Sequence, residues 1–177
     1  MERTSGASGS RARNLVAAAI VSCAAIALGA CTPTPTPAPT YSEGTCPDGS
    51  GVTVVVDFSE DLSDEIVVRC ALGAQQSGID ALEAIGLSVN ENEPNAFPGS
   101  VCTLDGLPTQ GYPYCWSEGG FWGYWAADDQ GSEWGFSPIG AGQGPLTEGG
   151  VIGFTWAQDF VSDGPRVTPG GDPLPAG

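Results

Sequence analysis

The chain has 177 residues, with 21 carboxylates against five arginines, no lysine, no histidine and a formal net charge of −16. That balance argues against a nucleic-acid partner, whose phosphates require clustered Lys and Arg, and against electrostatic adhesion to anionic lipid. Without histidine, Ser-His-Asp and Cys-His chemistry are excluded, and no feature selects a pair of carboxylates for glycoside hydrolysis; the chain reads as a non-enzyme with no catalytic residues.

Residues 1–30 read as a signal peptide. Arg3, Arg11 and Arg13 make its start positive, and residues 15–28 form an apolar run broken only by Ser22 and Cys23. The run is too short and too Ala-rich for a membrane span, which needs about 20 strongly apolar residues, but it suits a signal-peptide core. It ends in Leu28-Gly29-Ala30-Cys31, which resembles the bacterial lipobox, the signal that directs lipid to the cysteine sulfur and cleavage just before it. The resemblance implies lipidation at Cys31 and a place at the cell membrane, lipid-anchored and facing the extracytoplasmic side. The alternative is an ordinary secretory signal cleaved near Ala30. Residues 31–40 then form the lipidated cysteine and a Thr/Pro-rich tether. Alternating prolines favour polyproline II, at roughly 3 Å per residue a spacer of about 28 Å.

The domain proper is expected over residues 41–163, followed by a Pro/Gly-rich tail, residues 164–177, expected to be disordered. Once residues 1–30 are removed, Arg69 and Arg166 are the remaining cations, so the acidity reads as a solvated surface. The cluster Asp57, Glu60, Asp61, Asp64 and Glu65 lacks the spacing of a calcium loop, and no metal site is expected. Cys46, Cys70, Cys102 and Cys115 form an even set in an exported chain, which reads as disulfides. Zinc is disfavoured because there is no C-x-x-C pair and no histidine.

In chain order, the β-branched residues 51–58 predict a strand, 59–64 a polar turn and 65–70 a second strand, together an antiparallel hairpin. That hairpin brings Cys70 beside the segment carrying Cys46. Of the three possible pairings this favours Cys46 with Cys70 and Cys102 with Cys115. Ser77-Gly78-Ile79-Asp80 fits a capping box with Asp in the Glu position, and Gly86 suits a C-cap, so a helix is predicted over 78–85. A polar loop over 90–98 precedes a strand over 101–105. Residues 119–126 form an aromatic strand, with 134–136 as its hairpin partner across the 128–131 turn. Residues 145–150 turn into a last strand over 151–156. The order β-β-α-β-β-β-β is similar to a β-grasp plan: an α+β fold with one short helix packed on a mixed or antiparallel sheet of about five to six strands.

Several ordered motifs carry a family resemblance: Val-Arg-Cys closing the second strand, Ser-Gly-Ile-Asp-Ala-Leu-Glu-Ala-Ile-Gly, Pro-Gly-Ser-Val-Cys-Thr-Leu-Asp-Gly-Leu-Pro, Phe-Trp-Gly-Tyr-Trp, Trp-Gly-Phe-Ser-Pro-Ile-Gly-Ala and Gly-Gly-Val-Ile-Gly-Phe-Thr-Trp. Over residues 51–156 the chain resembles a bacterial domain-of-unknown-function family related to the C-terminal domain of transcobalamin and intrinsic factor. The resemblance implies a β-grasp-like, ligand-binding domain without catalysis; in the animal relatives this domain closes over one side of cobalamin. The large helical partner domain of those relatives has no counterpart here.

The aromatic residues supply the candidate surface. Trp116 aside, these are Phe121, Trp122, Tyr124, Trp125, Trp134, Phe136 and Trp156. On a strand Phe121 and Trp125 point to one face and Trp122 and Tyr124 to the other, so one set is expected beneath the helix and the other is free to stack on a flat ligand. The candidate ligand-binding residues are Trp122, Tyr124, Trp125, Trp134, Phe136 and Trp156. The expected function is a lipid-anchored binding module for a corrinoid or another flat small ligand, with no resident cofactor. Its partners would be the membrane, through the anchor, the ligand, and a membrane transporter that receives it. The competing reading is a surface interaction domain with no small-molecule ligand. A secreted protease inhibitor, with residues 107–113 as candidate loop, is a third.

Overall fold

The computed structural model describes residues 37–91, 93, 96–109, 115 and 119–174. The expectations for the signal peptide, for Cys31 and the start of the tether, for Trp116 and for residues 110–113 of the candidate inhibitor loop lie outside the described residues. In chain order the elements are β1 (Tyr41–Glu43), β2 (Gly51–Asp57), α1 (Ser59–Leu62), β3 (Ile66–Leu72), α2 (Gly78–Ala84), β4 (Gly120–Ala127), β5 (Gly135–Phe136) and β6 (Val151–Gln158). The six strands form one sheet in the order β1-β3-β2-β6-β4-β5. β2 and β6 run parallel, and every other neighbouring pair is antiparallel. Among the described residues the fold is α+β, with a mixed sheet, two short α-helices and a 3-10 turn at Pro47–Gly49.

The β2–β3 hairpin has the register that the valine-rich runs predict, Val55 opposite Val68 and Thr53 opposite Cys70. Its closed end carries α1 where a turn was expected. At its open end Cys46 and Cys70 are joined, with Cα atoms 4.7 Å apart. The second disulfide joins Cys102 and Cys115, 4.4 Å between Cα atoms. β1 was not foreseen, since Tyr-Ser-Glu lacks a β-branched run. It is held from β3: Glu43 faces Arg69 in the register, with Arg69 Nε 3.1 Å from its carboxylate. The Arg69 guanidinium also lies 4.9 Å over the Tyr41 ring. The strand expected over 101–105 does not form; only Leu104 makes isolated bridges, to Val89 and Leu107.

The start of α2 is capped by Ser77, whose Oγ accepts the Asp80 N–H at 3.1 Å and pairs with the Asp80 carboxylate. Its end closes through Gly86 at φ +87°: Gly86 N–H donates to Glu83 and Leu87 N–H to Leu82, the paired bonds of a Schellman motif that a left-handed glycine permits. α2 lays Ala81, Leu82 and Ile85 on one face of the sheet, against Val52, Val54, Ile152 and Phe154.

The other face is not open. Residues 164–174 cross it, which corrects the expectation of a disordered tail. Pro165, Val167 and Pro169 are buried. A Cβ placed on Gly153 of β6 would lie 2.9 Å from Pro165 and 3.0 Å from the Trp134 ring, and one on Gly171 3.4 Å from Val68 of β3. Trp134 Nε1 donates to the Val167 carbonyl at 2.7 Å. The chain folds back on itself between Val167 and Pro173. Proline and glycine here serve close backbone packing rather than disorder. Among the described residues no helix is long and apolar enough to cross a membrane.

Candidate functional site

β5 pairs with only the end of β4: Phe136 opposite Trp125 and Gly135 opposite Ala126. One further bond, Ser137 N–H to the Tyr124 carbonyl at 2.9 Å, extends the ladder. Pro138 follows and has no N–H to continue it. Because Tyr124 turns its carbonyl toward β5, pleat alternation turns the N–H and C=O of Trp122 to the same edge. Among the described residues these two groups have no main-chain partner. Among the described residues no strand continues the pairing of β4 beyond the point where β5 stops.

A cleft of about 680 Å³ lies along this edge. Its floor includes Trp122 and Tyr124 of β4 and Phe154 of β6. One wall is the 98–101 loop, the other Phe136 and the 137–143 loop. Both loops are fastened. Asn90, at φ +56°, accepts the Cys102 N–H at 2.6 Å with its amide oxygen and donates to the Ser100 carbonyl at 2.7 Å. The second loop is tied to α2 by Ile79 N–H donating to the Ala141 carbonyl at 3.1 Å. The two walls meet where Gly142 N–H donates to the Gly99 carbonyl at 3.1 Å. A side chain at Gly142 would not allow this approach, because its Cβ would clash with the Gly99 backbone.

The volume sits within the range of about 300–1,000 Å³ typical of small-molecule sites. The described lining is apolar and aromatic, with Ser100, Ser137 and Gln143 as its polar side chains and no charged one. Both serine hydroxyls are engaged locally, Ser100 with the Phe97 carbonyl and Ser137 with that of Ile139. The Tyr124 hydroxyl has no hydrogen-bond partner among the described residues, although the residue is only 8% exposed. It lies against Gly78 at the start of α2, where a Cβ would come within 3.1 Å of both this hydroxyl and the Ala141 carbonyl. Burial pushes the Tyr124 phenol up to about 12, so it stays protonated and able to donate at neutral pH.

The six aromatic residues proposed from sequence divide. Trp122, Tyr124 and Phe136 border the cleft. Trp156 is buried in the helix-side core, edge-on to Trp122 with centroids 5.8 Å apart. Trp125 and Trp134 lie on the opposite face under the 164–174 segment, Trp125 with its ring 3.6 Å from the Cβ direction of Gly164. Trp122 and Tyr124 are thus covered on the helix side and Trp125 by the C-terminal segment, while Phe121 is half-buried at the cleft border; of the six, Phe136 is the exposed member, 58% accessible. The loop residues Ser100, Val101, Ile139 and Gln143 complete the cleft and were not anticipated; the pair Pro98-Gly99 and the run Gly140-Ala141-Gly142, small residues in two separate loops, are the only trace of it in the sequence. Among the described residues no group of three or more Cys, Asp and Glu is placed to hold a metal ion. No protein-family model, curated protein or solved structure matches this chain.

Proposed function

We propose that the chain is a lipid-anchored, extracytoplasmic, non-catalytic binding module for a corrinoid or another flat small ligand. The observation that carries this reading is the cleft beside the stretch of β4 beyond β5, where an aromatic floor meets two fastened loops. The strand order β3-β2-β6-β4-β5, with β6 parallel to β2 and a helix following the first hairpin, supports the finer β-grasp assignment and agrees with the transcobalamin-like resemblance. The absence of histidine and lysine supports a non-catalytic role. A cleft open along one side suits a large flat ligand of which one face is covered, and handing that ligand to a membrane transporter fits an anchored, tethered domain.

The test is isothermal titration calorimetry of residues 32–177, disulfides intact, with cobalamin and cobinamide. Saturable heats that weaken in Phe136→Ala support the reading; flat heats from a folded protein remove the corrinoid. The anchor is tested separately: Cys31→Ser releases the protein from the membrane fraction, and continued tight membrane association contradicts the lipobox.

The competing reading, a protein-interaction domain, draws on the exposed apolar residues Phe97, Ile139, Phe160 and Val161. Phe160 stacks on Phe121, which borders the cleft, with centroids 6.2 Å apart. In that case Phe160→Ser impairs partner binding while cobinamide heats remain flat.

A further inference from the structure

We infer that the cleft selects an uncharged ligand that bears a carbonyl or carboxamide group, which it receives on the Tyr124 hydroxyl and the main-chain N–H and C=O of Trp122, which have no main-chain partner among the described residues. The inference rests on the cleft being a small-molecule site but does not depend on the ligand being a corrinoid.

Two independent observations carry it. The first is Tyr124, a cleft residue 8% exposed overall, whose hydroxyl has no hydrogen-bond partner among the described residues. A ligand that covers this hydroxyl without accepting from it leaves a polar group unpaired, so a ligand oxygen placed to accept from it is favoured over an apolar ligand. The stacking of Tyr124 on Phe154, 4.9 Å between centroids and 22° from parallel, fixes where the hydroxyl points. The second is the sheet edge at Trp122. Its N–H and C=O face the cleft side where β5 has ended, and together they form the donor and acceptor pair that a carboxamide complements.

Charge sets the other half of the specificity. The described lining holds no cation to receive an anionic group, in a chain with a formal net charge of −16. An anionic ligand would leave water for an apolar site without a counter-ion, which is costly, within a repulsive field. A cation would find no carboxylate among the described lining residues.

The experiment uses three dyes with residues 32–177 and with Tyr124→Phe. Prodan is neutral, flat and carries a ketone. N-phenyl-1-naphthylamine is neutral and carries no carbonyl. 1-Anilinonaphthalene-8-sulfonate is the same skeleton with an anionic group. The expected result is saturable Prodan binding, weakened about three- to tenfold in Tyr124→Phe as befits one neutral hydrogen bond. Prodan bound to the unsubstituted protein also emits further to the red, as a hydrogen-bonded ketone does. N-phenyl-1-naphthylamine binds both proteins within twofold, and the sulfonate binds at least tenfold more weakly than its neutral analogue. Prodan affinity unchanged in Tyr124→Phe overturns the inference, as does a sulfonate that binds as well as its neutral analogue, or no saturable binding of any dye. Tyr124→Phe removes only one oxygen, and unchanged urea unfolding at neutral pH verifies that the fold is intact. If cobinamide gives flat heats while the dye pattern holds, the corrinoid is wrong and the specificity stands. If cobinamide binds while Tyr124→Phe is without effect, the reverse is true.

Discussion

Asp57 and Arg166, 109 residues apart in the chain, form a closed pair: Arg166 Nη2 lies 2.8 Å from Oδ1, and the Arg166 main-chain N–H donates to Oδ2 at 2.7 Å. Nε reaches both carboxylate oxygens, at 3.0 and 3.1 Å, and Ser59 N–H adds a bond of 2.9 Å. The Asp57 side chain has no solvent exposure, whereas that of Arg166 is 36% exposed. The hydrogen bond to Asp57 raises the Arg166 guanidinium above its ordinary value. This pair pins the C-terminal segment to the end of β2 and so keeps the second face of the sheet covered.

Arg166→Ala therefore leaves a carboxylate buried without its cation. The expected cost is about 2–4 kcal/mol, the lower part of the range for a broken buried pair because the guanidinium reaches water. Urea unfolding followed by tryptophan fluorescence measures it. A change under about 0.5 kcal/mol, the range of ordinary surface substitutions, contradicts a pinning role.

Gly153→Ala tests the same face without touching a charge. Its Cβ would enter the space of Pro165 and the Trp134 ring, at 2.9 and 3.0 Å. Overpacking of this kind costs about 1–3 kcal/mol. The segment should also lift from the sheet, seen as faster amide exchange at Val167 and Thr168 and stronger acrylamide quenching. Unchanged exchange at these amides would show that the glycine is not needed for the approach.

The raised phenol of Tyr124 gives a pH signature. Its folded value of about 12 lies above the ordinary phenol value of 10.0, so between these limits the folded state holds the proton more tightly than the unfolded chain. Its contribution to stability is complete below pH 10 and is lost as pH rises toward 12. Tyr124→Phe should flatten that part of the stability curve while leaving pH 6–9 unaffected. An identical alkaline loss in the two proteins would mean that Tyr124 is not the buried group concerned.

Core and cleft substitutions should separate. Trp156 is 3% exposed and Trp122 is 6% exposed, the latter edge-on to Phe58 at 5.4 Å, so truncation to alanine should cost about 3–5 kcal/mol and compromise the fold. Phe136, 58% exposed, should lose only about 0.5 kcal/mol on truncation yet weaken ligand binding. Equal destabilisation by Phe136→Ala and Trp156→Ala in thermal unfolding would contradict this division.

The parts of the fold legible in the sequence are those that local chemistry determines. β2 and β3 follow from their valine runs, and α2 from Ser77, Asp80 and Gly86. The Cys46–Cys70 link follows from the hairpin that joins them. β1 was hidden because its pairing depends on Arg69 and Ala71 of a distant strand. The covering segment was hidden because distant residues hold it: Asp57 binds Arg166, Trp134 donates to the Val167 carbonyl, and Gly153 makes room for Pro165. The same long-range cover explains the site. Alternation along β4 separates Trp122 and Tyr124 from Phe121 and Trp125, but only the tertiary structure reveals that both faces are occupied. Among the described residues the accessible part of the cleft lies instead beside the stretch of β4 beyond β5.

The most direct measurement of the central claim is a ¹H–¹⁵N correlation spectrum of residues 32–177 titrated with cobinamide. Binding in the cleft predicts saturable shifts centred on the amides of Val101, Trp122, Tyr124, Ser137 and Gly142, with Val68, Val167 and Gly171 on the opposite face unmoved. Shifts centred on that opposite face, or no shifts at millimolar cobinamide from a well-dispersed spectrum, would contradict it.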